Sequence, residues 1–181
     1  MPKGMYIRIK SRKNSSGKLS DYAYLVLSKR KYKKPRQKVI AYLGKVYQFP
    51  DTELVSLEPN YDLLNAQYKS LIMHLISLQL IKMGFKTSKE NVFIKDKILV
   101  DLNSKRVYSI REQNPISLKI NNGFISDYTL SKLINYNPPK THLKGIGKDF
   151  ANFLTLTGLQ VQETVFLELF NKIRSMINEK Q

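Results

Sequence analysis

The residues best suited to chemistry in this 181-residue chain are basic, and they are concentrated near its start. Residues 1–45 contain 14 of the 31 lysines and arginines but only one of the 14 acids, Asp21. This segment therefore supplies most of the formal net charge of +17. Lysine and arginine neutralise phosphates, so a charge placed this unevenly indicates a polyanionic partner rather than general solubility.

Alternating apolar and polar residues predict three short strands in the basic segment. The alternation runs through residues 5–12, 22–28 and 38–43. Asparagine, serine and glycine in 14–18 favour a turn after the first strand, and Pro35 favours a second turn, within a basic loop. The sequence therefore predicts an antiparallel meander with one buried aliphatic side.

The other side of this meander is predicted to collect basic and tyrosine side chains. Tyrosine rings stack on bases or pack on sugars, and basic side chains bind phosphates. The candidate nucleic-acid-binding residues, including the basic loop, are Arg8, Lys10, Arg12, Lys13, Tyr22, Tyr24, Lys29, Arg30, Lys31, Lys33, Lys34, Arg36, Lys38 and Tyr42. The alternative is a solvated sheet face, but such faces normally mix both signs of charge.

Three runs in this segment carry a family resemblance: residues 6–10 (YIRIK), 24–28 (YLVLS) and 34–44 (KPRQKVIAYLG). Their order resembles the N-terminal segment of DDE-type insertion-sequence transposases, in which a YL-x-L-V-x-S strand precedes a basic loop and an R-Q-(K/R)-V-I-x-x-L-G strand. The resemblance covers roughly residues 5–45, and 36–44 are its most specific part. It implies a DNA-binding module, by analogy with the end-recognition parts of transposases. The RNase H-like catalytic core of that family cannot be placed on the remaining residues.

The inventory of catalytic residues is thin. The carboxylates that can be grouped around a cation are Asp96, Asp101 and Glu112, and hairpin geometry alone explains both aspartates. The absence of cysteine excludes disulfides, thiolate metal sites and cysteine-based catalysis. We therefore assign no catalytic residue, metal or cofactor and predict a non-enzymatic protein, with a metal-dependent nuclease as the alternative from another class.

A glycine-containing run near residue 145 is a second candidate phosphate site. Its Gly-Ile-Gly-x-x-x-Ala spacing resembles helix-hairpin-helix DNA-binding motifs, in which backbone N–H groups at a helix N-terminus approach a phosphate. The candidate residues are Lys144, Gly145, Gly147 and Lys148. Prolines at 138–139 interrupt the helix that should precede the motif, so a glycine-rich start to an ordinary helix is the alternative.

The rest of the chain mixes helices and strands. A helix from about residue 60 to 83 has a wide apolar arc, so it must be buried in this chain or against a second copy, and a homodimer through 61–83 is a candidate assembly. The further elements that we predict are strands at 92–94, 98–102, 106–110 and 116–120, forming a second sheet, and helices at 126–136, 147–157 and 161–178.

These patterns predict an α+β fold with an N-terminal basic three-stranded antiparallel meander, a long buried helix, a second small antiparallel sheet and C-terminal helices. The predicted division is a basic module at 1–46, a proline-punctuated linker at 47–59 and a scaffold at 60–181.

The predicted function is non-enzymatic binding of nucleic acid, DNA rather than RNA, by a relative of a transposase end-recognition module. An RNA- or ribosome-binding factor is the alternative within binding proteins, since a basic sheet with exposed tyrosines also suits single-stranded RNA. The longest apolar-rich stretch, 71–85, is too short and too polar to span a bilayer, so no membrane partner is expected. The expected location is the cytoplasm, in association with the nucleoid when bound to DNA.

Overall fold

The computed structural model describes residues 4–13, 17–31, 34–57, 61–62, 64–138 and 145–178. The predicted α+β class is confirmed. The strands are β1 (Met5–Lys13), β2 (Leu19–Lys31), β3 (Lys34–Gln48), β4 (Lys86–Lys89), β5 (Val92–Lys95), β6 (Ile98–Asp101), β7 (Arg106–Ser109), β8 (Ile116–Ile120) and β9 (Gly123–Ile125). The helices are α1 (Tyr68–Lys82), α2 (Asp127–Ile134), α3 (Ile146–Thr157) and α4 (Glu163–Asn178).

The first three strands form the predicted antiparallel meander, and the sheet continues beyond it in the order β1-β2-β3-β8-β9. Residues 45–48 of β3 pair in parallel with 116–119 of β8, and the buried Ser117 hydroxyl donates to the Leu43 carbonyl at 2.7 Å. The expectation that β8 belongs to the second sheet is therefore wrong. The mostly buried pattern of β8 fits a strand in either sheet. The sequence around β8 does not indicate that it pairs in parallel with a strand far away in the chain.

The second sheet has the order β4-β5-β6-β7, and all its pairings are antiparallel. Its strand β4 is an addition to the elements predicted from the sequence. All four residues of β4 are exposed, so it lacks the apolar alternation that identifies a half-buried strand. A tight hairpin joins β6 to β7, and Asp101 pairs with Arg106 across it.

A two-stranded ribbon projects beyond the end of β1, which pairs with β2 only as far as Leu27. The pairing of β2 with β3 continues from Ser28↔Gln37 to Lys31↔Lys34, and we call residues 28–31 and 34–37 the arm. The prediction of a basic loop that turns at Pro35 is therefore wrong, because Pro35 pairs with Arg30 inside the ladder. Proline is tolerated on an edge strand, and β3 meets β8 only at 45–48.

Helix α1 lies at the centre of the larger hydrophobic core, where Leu71, Ile72 and Leu75 are fully buried. It packs against α2 and α4, so most of its apolar surface is buried within this chain, whereas Ile81 near its end is exposed. Dimerisation through this helix stays a prediction. The helix begins at Tyr68 rather than near residue 60, because the Asp62 carboxylate accepts hydrogen bonds from the backbone and side-chain nitrogens of Asn65 and holds a turn there.

Residues 49–57 follow β3 as an extended segment that packs closely against the rest of the chain. Val55 is fully buried, and its backbone N–H donates to the Gln160 carbonyl at 2.8 Å. The Thr52 backbone N–H donates to Asn121 Oδ1 at 3.0 Å. The segment is therefore anchored at several points, while the predicted boundaries at 46 and 59 stay a prediction.

The helical C-terminal region follows the sequence pattern closely. Helix α2 begins at a capping box in which Ser126 and Thr129 satisfy each other's backbone N–H groups. Helices α3 and α4 lie where the apolar spacing predicts them, separated by Gly158. The fully buried Phe150 of α3 contacts aromatic rings from three other parts of the chain, including Tyr68 at a centroid distance of 6.1 Å. Among the described helices, none has the length and apolar character needed to cross a membrane.

Candidate nucleic-acid interface

One face of the meander brings basic and aromatic side chains together. Residues paired directly across antiparallel strands share a face, and Tyr24 pairs with both Arg8 and Tyr42. Tyr22 in turn pairs with Lys10 on one side and with Lys45 on the other. We call this surface the aromatic-basic face, and its residues are Arg8, Lys10, Arg12, Tyr22, Tyr24, Tyr42 and Lys45.

The three tyrosines of this face form a contiguous cluster. The centroid of the Tyr42 ring lies 6.3 Å from that of Tyr22 and 5.4 Å from that of Tyr24. Partial burial, followed by the neighbouring Tyr22 and Tyr24, raises the pKa of Tyr42 above its ordinary value. The hydroxyl therefore stays protonated at neutral pH and can donate a hydrogen bond. Tyr42 is 49% exposed, so its ring remains accessible to a ligand.

Two cations of the face lie against the same tyrosine. Lys10 Nζ is 5.4 Å and Arg12 Cζ is 5.9 Å from the centroid of the Tyr24 ring. Such contacts contribute about 0.5–1 kcal/mol at exposed sites, and they hold the charged groups above the sheet. The result is a pair of positive charges beside a partly exposed ring.

Among the described residues, no acidic side chain forms a salt bridge with a cation of this face, although Glu112 lines a groove at its edge. Asp21, the single acid of the first 45 residues, pairs with Ser11 on the opposite face and accepts a hydrogen bond from its hydroxyl at 2.6 Å. Glu168 of α4 forms a salt bridge with Lys172 of the same helix, outside the meander. The positive charges of the aromatic-basic face are therefore available to an external anion.

Two irregularities in the pairing of β2 with β3 change which residues share the face. The register shifts between Ala23 and Tyr24 and again between Leu25 and Val26. Each shift reverses the alternation that follows it, so Lys38 pairs with Leu27 and lies on the opposite face from Tyr42. This differs from the prediction that Lys38 and Tyr42 lie on the same side of the meander.

Two other candidates are also placed away from the aromatic-basic face by the register. Lys13 lies at the end of β1, on the same face as the aliphatic residues. Arg36 lies on the same face of β3 as Lys38. Both side chains are exposed. The sequence prediction omits Lys45, because only the first register shift brings it opposite Tyr22.

The arm carries most of the remaining candidates. The backbones of residues 29–31 and 34 lie in its two strands, whereas Lys33 lies outside the described residues. At the base of the arm, Arg8 Nη1 donates to Gln37 Oε1 at 2.6 Å. This hydrogen bond joins β1 to β3 across β2 and so links the arm to the aromatic-basic face.

The reverse side of the meander anchors it to the helices. Ala23, Leu25 and Leu43 form a small buried cluster, against which Tyr128 of α2 packs. The Tyr128 hydroxyl also donates to Met5 Sδ at 3.2 Å. Since the aliphatic side is covered, the aromatic-basic face is the side of the meander that is directed away from this core.

The second candidate phosphate site is described only in part. Gly145 precedes α3 with φ of +106°, a conformation that favours glycine, and Lys148 is exposed. A Cβ at Gly147 would lie 3.3 Å from the Phe170 ring, so close packing against α4 explains this glycine. Lys144 lies outside the described residues. Phosphate binding at this site stays a prediction.

The carboxylates considered for a nuclease have local structural roles or partners. Asp101 accepts hydrogen bonds from the backbone N–H of Asn103 and from the Ser104 hydroxyl, at 2.9 and 2.6 Å, and so holds the β6–β7 turn. Asp96 occupies a turn position with φ of +52°, and Glu112 accepts from the Asn114 amide at 3.4 Å. Among the described residues, no three acidic or histidine side chains are grouped to hold a metal ion.

A known protein family matches the part of the chain that contains this interface. Residues 7–69 match the N-terminal domain of the IS1634 family of transposases. The predicted resemblance to a transposase N-terminal segment is confirmed. Searches among curated proteins and among solved structures returned no match.

The matched segment includes every residue of the aromatic-basic face and the whole arm. It continues through the anchored residues 49–57 to the first turn of α1. The match therefore extends further than the predicted resemblance over residues 5–45, and it covers about a third of the chain.

Proposed function

We propose that this chain is a non-enzymatic DNA-binding protein that holds duplex DNA through the aromatic-basic face and the arm. The observation that carries the proposal is the match of residues 7–69 to a transposase N-terminal domain, because that segment contains the whole of this basic surface. A transposase acts on DNA, and its N-terminal domain is distinct from its catalytic core. The proposal places the protein in the cytoplasm, associated with the nucleoid when bound.

Charge supports a phosphate ligand at this surface. Lys10, Arg12 and Lys45 have no acidic partner among the described residues, and the sequence places seven further basic residues between 29 and 38. Each cation that contacts a phosphate releases counterions from duplex DNA, which makes binding favourable at low salt. The affinity should therefore fall steeply with salt, with a log–log slope near −0.9 for each phosphate neutralised.

The arm is a kind of element that can enter a DNA groove. The major groove of B-form DNA admits a two-stranded β-ribbon, and the arm is such a ribbon, which continues past the last residue pair of β1 with β2. The face at its base would then meet the phosphates that flank the groove. In this arrangement the arm lies in the groove. Arg8, Lys10 and Arg12 contact phosphates and so position the sheet on the duplex.

Competition between nucleic acids tests the proposal against binding to RNA. A labelled DNA duplex of about 25 base pairs bound to the full chain is displaced by unlabelled DNA or by an RNA hairpin of matched length and charge. We expect DNA to compete at least about tenfold better, because A-form RNA has a deep, narrow major groove that a ribbon cannot enter. Better competition by the hairpin would replace DNA by RNA as the ligand, and no binding of either at low salt would overturn the proposal.

A further inference from the structure

A groove of about 370 Å³ lies at the edge of the aromatic-basic face, between the meander and the turn that follows β7. Tyr22, Tyr42 and Lys45 line it on the meander side. Glu112 and Asn114 line it on the side of the turn. The groove therefore combines flat aromatic surface, a cation and hydrogen-bonding groups within one small space.

The charges in the groove argue against a phosphate as its only occupant. The Glu112 carboxylate would repel a phosphate at that end, whereas Lys45 would attract one at the other. A carboxylate instead accepts from N–H donors, and the Asn114 amide, 3.4 Å from it, can both donate and accept. The side chains thus fit a ligand with a phosphate at one end and a flat group bearing N–H donors at the other.

We propose that this groove binds one unpaired nucleobase, from a strand end or gap next to the bound duplex; the inference rests on the proposed function. The base stacks on Tyr22 and Tyr42, and Lys45 contacts its phosphate. Glu112 and Asn114 bind the Watson–Crick edge, which a base offers only when it is unpaired. The protein therefore distinguishes a DNA end with an unpaired base from a continuous or blunt duplex.

The chemistry of Glu112 also selects among the bases. Cytosine, adenine and guanine each carry an exocyclic amino group that donates to a carboxylate, whereas thymine presents only one ring N–H between two carbonyl oxygens. Those carbonyl oxygens are repelled by Glu112. An unpaired cytosine is therefore bound more tightly than an unpaired thymine.

Fluorescence anisotropy with three forms of one duplex tests this inference. The duplex is blunt, or carries one unpaired cytosine or one unpaired thymine at an end. We expect the unpaired cytosine to tighten binding roughly tenfold, which is the size of a base–aromatic stacking contribution. Glu112→Gln should reduce the preference for cytosine over thymine to within about twofold, because its amide can pair with either base.

Glu90→Gln is the matched control, since Glu90 is exposed on a turn of the second sheet and the change in net charge is the same. It should retain the preference for cytosine. Equal binding of the blunt and extended duplexes, or a preference unaltered by Glu112→Gln, would overturn the base pocket and leave the proposed function standing. Failure of the chain to bind even the blunt duplex would overturn both.

Discussion

Replacing Lys31, Lys33, Lys34 and Arg36 together by alanine is expected to weaken binding to duplex DNA by roughly 30- to 1000-fold while the fold remains intact. The estimate assumes about 0.5–1 kcal/mol for each exposed contact with a phosphate, summed over the four positions. The salt dependence should become shallower by about one unit of log–log slope for each phosphate contact removed. Anisotropy titrations between 50 and 200 mM salt measure both effects.

The control for this variant removes the same charge elsewhere. Lys69, Lys86, Lys89 and Arg174 are all exposed and lie outside the arm and the aromatic-basic face. Their replacement by alanine lowers the net charge equally, so it should weaken binding only slightly through the overall field. Equal losses of affinity in the two quadruple variants would mean that total charge, rather than the arm, binds the DNA.

Gly44→Ala should reduce the free energy of unfolding by more than about 3 kcal/mol, because it combines backbone strain with a severe clash. Gly44 has φ of +100°, which an alanine adopts with difficulty, and a Cβ there would overlap the Pro115 carbonyl and the Ile116 backbone. The close approach of β3 to β8 depends on this position. Urea denaturation followed by circular dichroism measures the loss.

Gly17→Ala separates the two causes of this effect. Gly17 also has a positive φ, of +77°, but nothing lies within 4 Å of the position a Cβ would take. Gly17→Ala should therefore reduce the free energy of unfolding by only about 1–2 kcal/mol, because it introduces an unfavourable backbone conformation and no clash. If both variants lose the same stability, the contact between β3 and β8 does not require a glycine at position 44.

The first strands could be predicted because their alternation is a local property. The period of two in residues 5–12 places aliphatic side chains on one side and basic ones on the other, and the observed register agrees. The two register shifts in β3 could not be predicted, since each depends on how β3 fits β2 rather than on its own sequence. For this reason the predicted face of Lys38 is wrong, and the position of Lys45 beside Tyr22 is not predicted.

The pairing of β3 with β8 could not be predicted from the sequence either. The strand β8 reads as a short apolar run, which fits the nearby second sheet as well as the distant β3. The groove beside Tyr42 likewise depends on this pairing, because it brings Glu112 to residues about 70 positions earlier in the chain. Sequence periodicity finds elements well, but it does not reveal which distant elements meet.

Lysine acetylation footprinting with and without duplex DNA tests the central claim most directly. The full chain is acetylated to a low extent at low salt, and the modification at each lysine is read by mass spectrometry. We expect DNA to protect Lys10, Lys45 and the lysines of the arm several-fold, whereas the exposed Lys69, Lys86 and Lys89 react as before. Protection confined to the second group, or spread evenly over all lysines, would contradict binding through the aromatic-basic face and the arm.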